Sequence, residues 1–202
     1  MDPPDRSMTE QWGISMSDYD ILFAKARAFH GHVCPGIVLG TRLTIAGLRE
    51  LGMNPHEPQK DLIVFMEIDR CGTDAVQAIT GCSLGHRSLK FRDYGKFAAT
   101  FVDLRTRKAI RVAVYEKNRA EHDRMDPKEV LKILAAAPED EILKIERVTV
   151  DIPYDDIPGF PRQKTICSKC GEKIMDGRQV VTAGRDVCRS CAQGAYYTRL
   201  DP

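Results

Sequence analysis

Long apolar runs are missing from this 202-residue chain. Stretches such as Leu62–Met66 and Ile37–Leu39 fall far short of the ~20 residues that cross a bilayer, so the sequence offers no membrane-spanning helix. Net charge is nearly missing as well: 30 Lys and Arg face 29 Asp and Glu, leaving +1. A nucleic-acid binder is usually strongly basic in at least one domain. Residues 162–202 hold 8 basic and 4 acidic side chains against 22 and 25 in the remainder. Zinc-bound thiolates would trim that tail surplus to about +2, so nucleic acid is the weaker class of partner. The opening residues Met1-Asp-Pro-Pro-Asp-Arg6 lack a basic stretch leading into an apolar one. The expectation is a cytoplasmic protein with no secretory leader. Repeats and low-complexity tracts are absent, and 43% apolar with 29% charged residues is a globular balance that excludes whole-chain disorder.

Cysteine is what the chain does have: seven, at positions 34, 71, 82, 167, 170, 188 and 191. In a cytoplasmic setting they point to metal or catalysis before disulfides. The last four read Cys167-Ser-Lys-Cys170, seventeen residues, then Cys188-Arg-Ser-Cys191. Two cysteines three apart on a tight turn aim both sulfurs at one point. Two such turns supply the soft, tetrahedral ligand set of a structural zinc. About forty residues bury little core, so the metal is what would fold them. All four positions are filled by protein, which leaves no catalytic opening. Tyr196, Tyr197 and Arg199 beyond the last cysteine are suited either to stacking on bases or to packing as a tail.

The other three cysteines pose a separate problem. His30-Gly-His-Val-Cys-Pro-Gly36 places three ligand types within five residues at a helix junction. Cys34 stands just before Pro35, a preferred first helical residue, so its sulfur faces a helix start. Cys71 stands before a second short helix for which Thr73 is the expected cap, and Cys82 follows that helix's end. The thiols at both helix starts are expected to favour thiolate. A lone cysteine near a helix start is more often a buried small residue, but a group of His30, His32, Cys34, Cys71 and Cys82 is the candidate for a second site. It would take Zn2+ or another transition metal, or act through a reactive thiol. Cys34, Cys71 and Asp74 are the candidate catalytic groups. Glu67 and Asp69 are further carboxylates near Cys71. Arg87, Lys90 and Lys96, with Arg92, are candidate contacts for an anionic ligand, against the plainer reading of a solvated charged loop.

Periodicity predicts a helix after a Ser17 cap with Ile21, Leu22, Lys25, Ala28 and Phe29 on one face, then a helix from Pro35 closed by Gly52. Leu62–Ile68 reads as a strand, Asp74–Thr80 as a short helix, and Cys82–Gly95 as a long functional loop. Phe97–Leu104 and Ala109–Tyr115 read as a hairpin, Asp126-Pro-Lys-Glu129 as a helix start, and Ile142–Ile152 as a last strand. Helices and strands mix without strict alternation, which makes the main domain α+β with an antiparallel or mixed sheet. The expected organisation is an arm over 1–17 carrying Trp12 and Ile14, a main domain over 18–152, and a proline-rich linker over 153–163. A four-cysteine zinc finger, ribbon-like or treble-clef-like, follows over 164–202.

Three segments together resemble the FmdE family of formylmethanofuran dehydrogenase components, including members with a C-terminal zinc finger. They are His30-Gly-His-Val-Cys-Pro-Gly-Ile-Val-Leu-Gly-Thr-Arg42, Glu67-Ile-Asp-Arg-Cys-Gly-Thr-Asp-Ala-Val-Gln-Ala-Ile-Thr-Gly-Cys-Ser-Leu-Gly85, and Asp93-Tyr-Gly-Lys-Phe-Ala98. The resemblance implies a homodimer, a place in a larger dehydrogenase complex, and a link to molybdenum- or tungsten-dependent one-carbon metabolism. It puts His30, His32, Cys34, Cys71 and Cys82 in a cleft with Asp74, Gln77 and Lys96 nearby. The family's redox cofactor sits on other subunits, so an oxidoreductase role here would be that of a component without its own. Three functions remain: a component with a metal–thiol cleft acting on an unidentified small molecule, a metal-binding accessory protein, and a zinc-ribbon regulator that binds nucleic acid or a transcription component.

Overall fold

The computed structural model describes residues 16–200 except Glu116 and Asp123; the arm with Trp12 and Ile14 lies outside the described residues. The chain forms two compact units, one running to Asp151 and the other starting at Ile152.

Helix α1 (Met16–His30) opens the first unit, one residue ahead of the expected Ser17 cap. Two apolar stripes compete on its surface. The one that includes Lys25 faces solvent, leaving Ile21 and Phe29 each 57% exposed, because burying that ammonium would be costly. The stripe through Tyr19, Leu22, Phe23 and Ala26 meets the core instead. It carries His30 inward at the helix's last turn. Helix α2 (Pro35–Leu51) is the central helix, buried at every residue from Ile37 to Leu48 except Arg42. Gly52 closes it in the left-handed conformation, φ +71°, with its N–H on the carbonyls of Arg49 and Leu48.

The sheet has the order β2-β1-β3-β4-β5. Its strands are β1 (Leu62–Met66), β2 (Leu89–Phe91), β3 (Ala98–Asp103), β4 (Ala109–Val114) and β5 (Leu143–Val148). Only the β1–β2 pair is parallel, with Val64 opposite Leu89; the other pairs are antiparallel. The mixed sheet of an α+β fold is therefore present. Strands β1 and β3 lie at its middle and are buried along their whole length. The segment expected to be a long loop contains β2, so Leu62–Met66, helix α3 (Gly72–Thr80) and Leu89–Phe91 make a crossover connection between parallel strands. Asp103 closes the β3–β4 turn, its carboxylate accepting from the Arg105 N–H at 2.8 Å and the Thr106 hydroxyl at 2.9 Å.

Small residues let α2 come close to its neighbours. A Cβ on Gly40 would lie 2.5 Å from the Gly72 Cα of α3, and one on Gly47 would lie 2.3 Å from the Phe101 ring of β3. Helix α4 (Arg119–His122) and the longer α5 (Pro127–Ala136) follow β4. Asp126 caps α5, accepting from Lys128 N–H at 2.8 Å, with Pro127 in the first helical position as expected. The guanidinium of Arg42 donates to the carbonyls of Leu134, Ala135 and Ala137, satisfying the other end of α5. Arg49 makes a bidentate pair with Glu139 at the start of α6 (Glu139–Ile142).

The second unit holds two hairpins, β6 (Lys164–Ile166) with β7 (Lys173–Met175) and β8 (Val180–Thr182) with β9 (Arg185–Val187), then helix α7 (Arg189–Gln193). Its buried residues are few: Ile152, and Cys167, Ile174 and Val187, with Cys170, Cys188 and Cys191 packed against the last three.

Candidate metal centres

In the second unit, Cys167 and Cys170 sit on the turn between β6 and β7, where the Gly171 N–H closes back on the Cys167 carbonyl. Cys188 is the N-cap of α7 and Cys191 lies in its first turn, so the helix delivers the second pair. Knuckle, hairpin and helix in this order follow the treble clef rather than the ribbon. The four ligand sulfurs lie within 4.8 Å of one another. The Cys188 N–H donates to the Cys167 sulfur at 3.2 Å and the Cys191 N–H to the Cys188 sulfur at 3.4 Å. Backbone N–H groups, of Cys170 first and then Cys188, draw the Cys167 thiol down to about 6; the neighbouring Cys188 sulfur pushes the Cys191 thiol up to about 12. Four convergent sulfurs, with backbone N–H groups turned toward the Cys167 and Cys188 sulfurs, suit a soft tetrahedral ion. The C-terminal cysteines form a structural zinc site.

The first unit's site is built where two helices begin. Cys34 is the N-cap of α2, in the extended region at φ −145°, and its Sγ accepts the Ile37 N–H at 3.4 Å. Cys71 precedes α3 but has helical φ and ψ of −44° and −33° and makes no side-chain cap bond. The two helix starts meet because Gly36 has no side chain: a Cβ there would be 2.9 Å from the Cys71 Cβ, 3.5 Å from its Sγ and 3.8 Å from the Cys34 Sγ.

His30 completes the arrangement from the last turn of α1. Its Nδ1 is 2.7 Å from the Asp74 Oδ2, and its Nε2 is 3.6 Å from the Cys34 Sγ. An Nδ1–H donated to a carboxylate fixes the ring and leaves Nε2 as the ligand atom, the usual second contact of a metal-binding imidazole. Gln77, one turn further along α3, reaches the other Asp74 oxygen at 3.5 Å. The exposed His32 stacks at a tilt on His30, centroids 4.3 Å apart. His30, His32 and Cys34 bring their ligand atoms within 4.8 Å of one another.

Several expected roles are placed differently. Cys82 is separated from Cys71 by the full length of α3; it is buried with its Sγ 3.7 Å from the Leu62 carbonyl at the start of β1, and it does not belong with the His30 group. Burial pushes its thiol up. The Cys71 thiol is also raised, by burial first and by the neighbouring Cys34 second, rather than lowered by the helix start. With its backbone already helical, its sulfur does not receive the first N–H groups of α3. Thr73 is not the cap but lies in the first turn, its hydroxyl donating to the Ile68 carbonyl. Glu67 is committed to Arg111 by two bonds of 2.7 and 2.8 Å, and Asp69 is exposed. Lys90 is buried on β2, Arg87 is half-buried in the preceding turn, and Lys96 is exposed past the end of β1. Arg92 lies over the Phe65 ring at 5.5 Å. The pairing that spacing alone did not single out is His30 with Asp74, 44 residues apart.

A mixed-sheet α+β unit with an imidazole–thiol group at two helix starts, joined to a four-cysteine zinc finger, defines a metal-binding protein. The chain belongs to the family described as FmdE, molybdenum formylmethanofuran dehydrogenase operon, whose model matches residues 29–150. Residues 161–197 match the prokaryotic DksA/TraR C4-type zinc finger. The chain is 33% identical over 204 aligned positions to a protein of Archaeoglobus fulgidus described as a "Probable S-adenosyl-L-methionine-binding protein". That alignment takes in 87% of this chain and 53% of the archaeal protein, so the chain spans about half of its length. A crystal structure of a tungsten formylmethanofuran dehydrogenase FmdE-like protein from Syntrophus aciditrophicus is similar in fold, with a TM-score of 0.64 and 22% identity over 89% of this chain and 95% of that one.

Proposed function

We propose that the chain is an FmdE-like accessory protein or enzyme component of molybdenum- or tungsten-linked one-carbon metabolism, working in the cytoplasm as a homodimer and within a larger dehydrogenase complex. Its working part is a second metal centre in the first unit, with His30, His32, Cys34 and Cys71 as ligands. The observation that carries this is His30: one ring nitrogen faces a carboxylate and the other faces a thiol within a three-residue ligand group. Mixed nitrogen and sulfur donors select zinc or a similar transition ion over magnesium or calcium. Bound there, the ion would supply Lewis acidity. Asp74 orients His30, and Gln77 steadies Asp74. His32 is exposed, so it is the ligand that can yield its place to a small-molecule substrate. S-adenosylmethionine is the first ligand to test, following the description of the archaeal relative.

X-ray absorption at the metal edge of the Cys170→Ser protein, which lacks a complete zinc finger, tests the ligand set. A mixed shell of nitrogen and sulfur supports the reading; no bound ion, or an oxygen-only shell, refutes it. The second reading, a regulator acting through the finger, is favoured by the DksA/TraR-type match and by Tyr196 and Tyr197, which are 100% and 48% exposed. Binding of duplex or single-stranded nucleic acid that is lost in a Tyr196→Ala variant would favour it.

A further inference from the structure

We infer that Cys34 and Cys71 form a redox pair that closes to a disulfide when a hydroperoxide reaches the cleft, withdrawing two ligands from the core site. The consequence for metal rests on the proposed function; the dithiol chemistry does not.

Three observations place the pair. Both cysteines stand at the starts of helices, and those helices are held together at Gly40 and Gly72, where a Cβ would lie 2.5 Å from backbone. The two thiols are therefore brought to the same close helix crossing. Gly36 supplies the gap: the space a Cβ would occupy there is 3.5 Å from one sulfur and 3.8 Å from the other, with no side chain between them. Both residues are half-buried, whereas Cys82, the remaining thiol of this unit, is buried and 1% exposed. A small oxidant thus meets the pair and not the third thiol.

The chemistry balances. One thiol attacks the terminal peroxide oxygen; an S–O bond forms, the O–O bond breaks, and an alcohol leaves (water, for hydrogen peroxide). The other thiol attacks the resulting sulfenic sulfur; the S–S bond forms, the S–O bond breaks, and water leaves with the remaining proton. Two electrons pass from the two sulfurs to the peroxide. With both sulfurs in one bond, His30 and His32 are left as the only core ligands, too few to retain an ion.

The experiment uses the full chain, reduced and loaded with zinc. Its zinc is counted, one to two equivalents of hydrogen peroxide are added, and released zinc is read with a coloured chelator. Thiols are then blocked and the protein is digested with trypsin without reduction. Cys34 falls in the peptide 28–42, and Cys71 shares the peptide 71–87 with Cys82. The expected product is the linked pair of these peptides, unchanged in a Cys82→Ser variant and lost in Cys71→Ser. In Cys71→Ser, Cys34 should instead be trapped as a sulfenic acid by dimedone. Recovery of the two peptides unlinked, or a link that disappears only with Cys82→Ser, would overturn the inference. If the zinc count before peroxide is one per chain rather than two, the core metal reading fails, while the linked peptide still decides the redox pair.

Discussion

At the scale of single residues, the core site is organised by a carboxylate. Asp74 takes the Nδ1–H of His30, and the ring's other nitrogen is thereby directed at Cys34. Loss of such an outer partner usually costs 10–100-fold in metal affinity, so at the proposed second centre Asp74→Asn should weaken the ion by about that factor while leaving the finger's ion in place. Competition with a chromophoric chelator reads the two affinities separately. An unchanged core affinity would mean that His30 is oriented by something else. The sequence showed the ligand types but not this partnership. The motif at 30–36 was legible because three donors within five residues are rare. Asp74 is 44 residues away and meets His30 only through tertiary packing. Cys82 stood beside the right helix but at its wrong end, and helix length alone decided that.

At the scale of elements, the site depends on how closely α2 can approach α3. In Gly40→Ala the new Cβ would press on the Gly72 backbone, which has no flexible end to move aside. Overpacking of this kind costs about 1–3 kcal/mol. The expected result is a lower urea midpoint for the first unit, read by far-UV circular dichroism; an unchanged midpoint would show that the helices separate freely. The β3–β4 turn gives a second test. Burial alone would push Asp103 up, but the N–H groups of Arg105 and Thr106, with the Thr106 hydroxyl, outweigh it and hold the carboxyl below its usual value. A depressed carboxylate stabilises the fold above its unfolded pKa and loses that contribution as pH falls through the lowered folded value. Asp103→Asn should therefore cost about 1–2 kcal/mol at neutral pH, with the gap to the parent closing in acid. A gap that stays constant with pH would contradict the ionic role. Such elements differ in how openly the sequence displays them. The Asp126–Pro127 start of α5 was readable because capping is local. Strand β2, three residues between turns, has no period to read, and its pairing with β1 is non-local. The buried face of α1 is less legible because two stripes sharing Leu22 fit a helix, and only the cost of burying Lys25 separates them.

At the scale of the whole molecule, a metal-stapled unit follows a unit with a large apolar core. The unit ending at Asp151 has core enough to fold without an ion; the unit starting at Ile152 buries too little to do so. The homodimer of the proposed function is tested by light scattering at micromolar concentration, where a species of twice 22.7 kDa is expected and a purely monomeric one would refute it. The most direct measurement is the metal count by atomic emission on four full-length proteins: the parent, Cys34→Ser, Cys170→Ser and the double variant. Two equivalents per chain in the parent, one in each single variant and none in the double variant are predicted. A parent with one equivalent, unaffected by Cys34→Ser and abolished by Cys170→Ser, would contradict a second metal centre in the first unit.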